Sequence, residues 1–190
     1  MKLIEIRHPN TLNINGTVID LETTGLGPED EIVTAGFLNK DGIFILQRTH
    51  SNAVQFKEGI LKLIKKFERP FYAFNKEFEE GFLGINFDGE LQKQEMEPAF
   101  AALKSEELLE MYNRLSDPLD GEEVTRFWNL WTKTKEPALL VKIAQHNYCC
   151  LVKELMLMLK RVENVSLDNM PYFTPSNALK HICRGALYGV

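Results

Sequence analysis

The segment Thr17-Val-Ile-Asp-Leu-Glu-Thr-Thr-Gly-Leu26 places two acids within an otherwise apolar stretch. Its β-branched and apolar residues are typical of a buried strand. Asp20 and Glu22 are two residues apart, so they share one face of that strand near its C-terminal end. Burying unpaired carboxylates is costly, and two that converge before a tight turn favour a site for a hard divalent cation. The alternative is that both acids lie at the strand exit and cap the turn.

Composition indicates a single compact domain over residues 1–190, because 190 residues with 44% apolar content can bury an ordinary core. The formal net charge of −5 argues against a strongly basic surface for nonspecific nucleic-acid binding, although it does not exclude nucleic acid. Three cysteines without paired spacing favour a reducing compartment. With no apolar run long enough for a membrane span and no signal-peptide pattern, we expect a cytoplasmic protein without a membrane partner.

The hydrophobic pattern predicts strands first and helices later. Segments 31–38 and 42–47 are separated by an Asn-Lys-Asp-Gly turn signal, which predicts a hairpin and, with the acidic strand, an antiparallel meander. A helix is predicted over 57–67, a fourth strand over 70–74 and a short helix over 76–83.

The second half is predicted to be mainly helical. Segments 105–115 and 122–131 have helical patterning and flank a turn-rich connection. Pro137 suits the first position of a long helix over 137–161. A final helix over 178–186 is one open alternative for the tail, which two glycines would weaken.

A second cluster of polar residues follows the fourth predicted strand, in Ala73-Phe-Asn-Lys-Glu-Phe-Glu-Glu-Gly-Phe-Leu83. Asn75 leaves the strand, and Glu79 could point back toward the first pair of acids. Taken alone, the same pattern also describes an ordinary acidic surface helix.

A third cluster, Gln145-His-Asn-Tyr-Cys-Cys-Leu151, lies within the long predicted helix. His146 and Cys150 are four residues apart and therefore share a helix face, whereas Cys149 is most simply a core residue. The pair could be packing residues, ligands, or a cysteine nucleophile with a histidine base.

Together, the three clusters in this order resemble the DEDD superfamily of 3′-to-5′ exonucleases, in its predicted ribonuclease-H-like exonuclease branch. Asp20-Leu-Glu-Thr-Thr-Gly-Leu26 matches the first motif of that superfamily. The second motif resembles segment 74–83, with Glu79 where aspartate is usual. His146-Asn-Tyr-Cys-Cys150 resembles the third motif, with Cys150 where aspartate is usual.

This resemblance covers residues 15–161 and leaves the C-terminal extension, 162–190, unexplained. It implies a ribonuclease-H-like α/β fold: a mixed five-stranded sheet, with an antiparallel meander and parallel strands, flanked by helices. It also implies a 3′-to-5′ exonuclease that hydrolyses phosphodiester bonds at single-stranded DNA or RNA ends. Such enzymes use two Mg²⁺ or Mn²⁺ ions.

Site roles are carried over from the family motifs position by position. His146 would take a proton from the attacking water. The implied metal ligands are Asp20, Glu22, Glu79 and Cys150, and the implied substrate contacts are Thr23, Thr24, Leu26 and Asn75.

Cys150 is the most serious departure from the family pattern. A thiol is mostly protonated at neutral pH and is a soft ligand, poorly suited to Mg²⁺. Two alternatives to the exonuclease therefore stay open. One is a catalytically inactive ribonuclease-H-like domain that binds nucleic acid or a protein, and the other is a Zn²⁺ site formed by Asp20, Glu22, His146 and Cys150.

Overall fold

The computed structural model of the protein describes residues 1–7, 14–50, 52–91 and 117–162, with side chains as far as residue 155. The strands are β1 (Lys2–Arg7), β2 (Thr17–Thr23), β3 (Ile32–Asn39), β4 (Gly42–Gln47), β5 (Phe71–Ala73) and β6 (Gly89–Glu90). The helices are α1 (Ala53–Ile64), α2 (Lys76–Leu83), α3 (Gly121–Thr134) and α4 (Pro137–Val162).

All six strands belong to one mixed sheet with the order β1-β4-β3-β2-β5-β6. Strands β1 to β4 pair antiparallel, and β5 joins β2, and β6 joins β5, in parallel. The predicted mixed α/β fold and the antiparallel meander are therefore confirmed.

The predicted strand count of five was wrong, because the described residues form six strands. The additional antiparallel strand, β1, places Ile4 opposite Ile45 at the edge of the sheet, and this pairing is long-range and invisible to local patterning. Strand β6 has only two residues, which is too short to show a hydrophobic period.

Helix boundaries depend on capping groups. Helix α1 begins four residues before its predicted start, because the Asn52 side chain accepts a hydrogen bond from the Gln55 backbone N–H at 2.9 Å. Helix α2 has its predicted bounds, and Gly84 ends it in the left-handed conformation with φ of 71°. Asp120 and Glu123 form a capping box that begins α3.

The long helix predicted over 137–161 corresponds to α4, Pro137–Val162. The helices predicted over 105–115 and 178–186 lie outside the described residues. In the part of the chain that the structure describes, no helix has the length and apolar content needed to cross a membrane.

The two faces of β2 serve different purposes. Ile19 and Leu21 point into one core, where they pack with residues of α1 and α2. Val18 points to the opposite face and packs beneath α4. Because side chains alternate along a strand, Asp20 and Glu22 also point to the α4 face. The sheet thus delivers two acids to the surface that the long helix covers.

Gly36 allows α4 to approach the sheet closely at this place. It lies directly opposite Asp20 in the pairing of β2 with β3. A methyl group on Gly36 would come within 2.1 Å of Asn147 Oδ1 and 2.6 Å of a Leu151 methyl carbon. Because a Cβ atom essentially never lies within 3.0 Å of a nonbonded heavy atom, only glycine fits at this position between the strand and the helix.

We expect Gly36→Ala to destabilise the protein by about 1 to 3 kcal/mol, because it overpacks a buried contact. Urea unfolding followed by circular dichroism measures the change. Gly81→Ala is the matched control, because Gly81 lies in α2 with no atom within 4 Å of the added methyl position. That substitution should raise stability by about 0.5 to 1 kcal/mol through helix propensity. A Gly36→Ala protein as stable as the wild type would contradict the close approach.

Candidate active site

The first two acids lie on β2 beneath α4. Asn147 donates from Nδ2 to Asp20 Oδ2 at 2.7 Å and to the Asp20 carbonyl oxygen at 3.2 Å. Glu22 is buried, and its side chain lies on the same face of β2 as that of Asp20. The side-chain amide of Asn147 therefore joins α4 to β2 through both the backbone and the carboxylate of Asp20.

Glu79 lies on α2, which begins at the end of the parallel strand β5. Its side chain is buried, and Oε2 has no hydrogen-bond partner among the described residues. The charge of Glu79 interacts with those of Asp20 and Glu90. The structure therefore brings Glu79 to the acids of β2.

A fourth acid, Glu154 on α4, was missed by the sequence analysis. It is buried, and its Oε2 also has no partner within the described residues. Its charge interacts with those of Asp20, Glu79 and Glu22. The signal that could have found it is the helical spacing of His146, Cys150 and Glu154, which are four residues apart and share one face.

Burial disfavours ionisation of all four acids, and the charge of Asp20 adds to this effect at the other three. Burial raises the pKa of Asp20 to about 6, in spite of the opposing charges of His146 and Lys153. Burial and the charge of Asp20 together raise the pKa of Glu79 to about 9. The same two causes raise the pKa values of Glu22 and Glu154 well above the usual range. A cleft of this kind favours either bound protons or a cation.

The donor set fits a divalent cation. All four groups offer carboxylate oxygens, which are the ligands that Mg²⁺ and Mn²⁺ prefer. Oxygens of Glu79 and Glu154 are buried without a hydrogen-bond donor from the described residues, although buried polar atoms are nearly always satisfied. A bound cation would satisfy both.

His146 is held in one orientation by Asp117. Its Nδ1 lies 2.8 Å from Asp117 Oδ1, while Lys153 Nζ lies 2.8 Å from Asp117 Oδ2. Burial opposes ionisation of Asp117, but hydrogen bonds from His146 and Lys153 outweigh it and hold the pKa of this carboxyl below its usual value. An ionised carboxylate only accepts, so Nδ1 carries the proton that it donates to Asp117.

The other ring nitrogen of His146 faces the acidic cleft. Nε2 lies 3.8 Å from Glu22 Oε1 and 3.9 Å from Cys150 Sγ. Asp117 was also missed by the sequence analysis. It is 29 residues from His146 in the chain, and no local pattern links the two.

Cys150 lies beside the acids but is poorly suited to bind a hard cation. Its side chain is half-buried. Burial, followed by the negative charges of Asp20 and Glu22, raises the pKa of its thiol well above the ordinary value. Cys149 is buried in the core beneath α4.

The residues implied as substrate contacts lie at the end of β2, in the turn that follows it, and at the start of α2. Thr23 donates its hydroxyl to the Gly25 carbonyl oxygen at 2.6 Å, and Thr24 donates its hydroxyl to Asp30 at 2.8 Å. Both hydroxyl groups therefore form hydrogen bonds that stabilise the turn after β2. Leu26 is 87% exposed, and the exposed Asn75 makes no side-chain capping bond to α2.

A mixed sheet covered by a long helix, with acids converging beneath that helix, defines a ribonuclease-H-like domain. The chain belongs to the RNase H superfamily, because the RNase_H_2 family model matches residues 17–160. Comparisons with curated proteins and with solved structures gave no match. The fold is nuclease-like and indicates nucleic-acid binding, and members of the superfamily generally use divalent metal ions. The DEDD exonuclease branch stays a prediction.

We expect the metal-free protein to lose stability as the pH rises. The pKa of Glu79 rises from 4.5 to about 9 on folding, so the native state binds its proton more tightly between these values. Unfolding free energy therefore falls across that window, and Asp20 contributes to the fall between 3.8 and about 6. Thermal unfolding with a chelator, at about pH 5, 7 and 8.5, measures the slope.

Glu79→Gln should flatten this slope, because it keeps the side-chain shape and removes the titrating group. Glu58→Gln, on the exposed side of α1, is the matched control and should leave the slope unchanged. Equal slopes in the wild type and in Glu79→Gln would show that Glu79 does not titrate in this window.

Proposed function

We propose that this protein is a metal-dependent 3′-to-5′ exonuclease that hydrolyses phosphodiester bonds at single-stranded DNA or RNA ends with Mg²⁺ or Mn²⁺. One observation carries the proposal. Four acids, Asp20, Glu22, Glu79 and Glu154, lie close enough for their charges to interact, and His146 directs Nε2 toward this cluster, 3.8 Å from Glu22 Oε1.

Asp20, Glu22, Glu79 and Glu154 would hold the two cations. When bound, such cations polarise the scissile phosphate, acidify a water molecule and stabilise the leaving oxygen. Asn147 orients Asp20 through its two hydrogen bonds, so that this carboxylate presents a fixed edge to the cleft. Rigid placement of ligands is required, because small displacements lower the rate severely.

His146 is suited to act as the general base. Asp117 accepts a hydrogen bond from Nδ1–H, so that in the neutral imidazole the lone pair of Nε2 is directed at the cleft. As Nε2 takes a proton from the attacking water, the ionised Asp117 stabilises the imidazolium that forms. Lys153 keeps Asp117 ionised and in place.

Substrate contact is proposed for the rim of the cleft. Leu26 projects from the turn after β2, where an apolar side chain can pack against the face of a terminal base. Asn75 offers an exposed amide at the start of α2. Since the chain has a formal net charge of −5, bound cations rather than a basic surface would offset the phosphate charge.

Glu154 weakens the case for a catalytically inactive binding domain. That alternative depends on Cys150, which occupies the place of the family's last aspartate. Glu154 lies one helical turn further along α4 and faces Asp20, Glu22 and Glu79. The cleft therefore keeps four carboxylates although its third motif is altered.

We expect Glu154→Gln to lower cleavage by roughly 100-fold or more, because it removes a charged ligand but keeps the side-chain volume. The assay follows shortening of 5′-labelled single-stranded DNA and RNA with Mg²⁺ or Mn²⁺. Glu58→Gln removes the same charge from an exposed site on α1 and should cleave at the wild-type rate. Full activity in Glu154→Gln would exclude Glu154 from the metal site.

We expect Asp117→Asn to lower kcat by roughly 10- to 100-fold with little change in KM, because an amide can donate to Nδ1 and favour the tautomer with a protonated Nε2. Asp41→Asn, in the exposed turn between β3 and β4, is the matched control. Steady-state kinetics across pH measure the effect. An unchanged kcat and pH profile in Asp117→Asn would remove His146 from the role of base.

A further inference from the structure

Three unlike donor atoms meet at one side of the cleft. Glu22, His146 and Cys150 each direct one ligand atom to a common point, and these atoms all lie within 4.8 Å of one another. His146 Nε2 is 3.8 Å from Glu22 Oε1 and 3.9 Å from Cys150 Sγ. This donor set shares the oxygen of Glu22 with the four acids and adds an imidazole nitrogen and a sulfur.

Two of the three separations are close to those of a tetrahedral metal site, and the third, between Glu22 and Cys150, is within 4.8 Å. With ordinary zinc–ligand lengths, neighbouring ligand atoms in a tetrahedron are about 3.4 to 3.6 Å apart. The observed separations of 3.8 and 3.9 Å exceed that spacing by only a few tenths of an ångström.

The orientation of His146 is an independent indication of a metal. Its Nδ1 is bound to Asp117 at 2.8 Å, so in the neutral imidazole the electron pair of Nε2 faces the other two donors. A carboxylate on the outer nitrogen is one of the usual partners of a histidine that binds zinc, because it fixes both the tautomer and the direction of the ring. Lys153 fixes Asp117 in turn.

We propose that Glu22, His146 and Cys150 form a binding site for a transition-metal ion of the Zn²⁺ class, with Asp117 as the positioning residue. Thiolate and imidazole ligands favour Zn²⁺ or Co²⁺ over Mg²⁺, because these ions are softer. Three protein ligands leave one tetrahedral position for water. On binding, the metal–sulfur bond replaces the S–H bond of Cys150, and the released proton passes to the buffer.

One consequence rests on the proposed nuclease function, whereas the binding site itself does not. A metal ion on Nε2 would occupy the electron pair with which His146 accepts a proton. Zinc bound here would therefore inhibit cleavage, and Cys150 would make the nuclease sensitive to zinc.

The binding test uses Co²⁺, because a cobalt–thiolate bond gives a charge-transfer absorption in the near ultraviolet that oxygen ligands do not produce. The full chain is prepared with Cys183→Ser, so that Cys149 and Cys150 are its only cysteines. Co²⁺ is titrated until the band saturates, and Zn²⁺ is then added. Cys150→Ser tests the ligand, and Cys149→Ser is the matched control for a neighbouring cysteine that packs into the core.

We expect the band to saturate at one Co²⁺ per chain, to disappear on addition of Zn²⁺, to be absent in Cys150→Ser and to persist in Cys149→Ser. Circular dichroism checks that each variant is folded. Absence of the band in the folded parent protein, or its persistence in Cys150→Ser, would overturn the assignment. Because the readout is absorption, a protein that cleaves no nucleic acid can still pass this test.

Discussion

The contact of α4 with the sheet at Gly36 is the constraint on which the rest of the site depends. Gly36 has no side chain, so Asn147 can reach Asp20 across the strand pair and hold both its carboxylate and its backbone. This contact sets the height and rotation of α4 above β2. Every donor that the helix contributes, from His146 to Glu154, takes its position from that placement.

The electrostatics of the cleft oppose folding. Burial raises the pKa values of all four carboxyl groups, and the charge of Asp20 raises those of Glu22, Glu79 and Glu154 further. The apolar packing on both faces of the sheet outweighs this unfavourable term. A stable fold that contains an unfavourable cluster of acids is typical of a functional site. Binding of a cation would offset the repulsion among the carboxylates.

Helical geometry explains how the third motif can lose its aspartate at position 150 while α4 still supplies a carboxylate to the cleft. Positions 146, 150 and 154 share one face of α4, so a carboxylate can move by one turn and still point into the same cleft. Glu154 has a longer side chain than aspartate, which helps it to reach the other acids from the next turn. The vacated position holds Cys150, whose sulfur adds a softer donor beside His146.

The sequence by itself determined the main elements and the acidic strand, because strong local signals specify them: alternation around Asp20 and Glu22, the Asp-Gly turn, and the left-handed glycine after α2. Only the tertiary structure decided what depends on long-range contacts. The edge pairing of β1 and the docking of Asp117 on His146 join segments far apart in the chain, and no local pattern encodes such contacts. Glu154 lies between these cases. Its helical spacing was present in the sequence, but only the packing of α4 on the sheet shows that this face of the helix meets the acids.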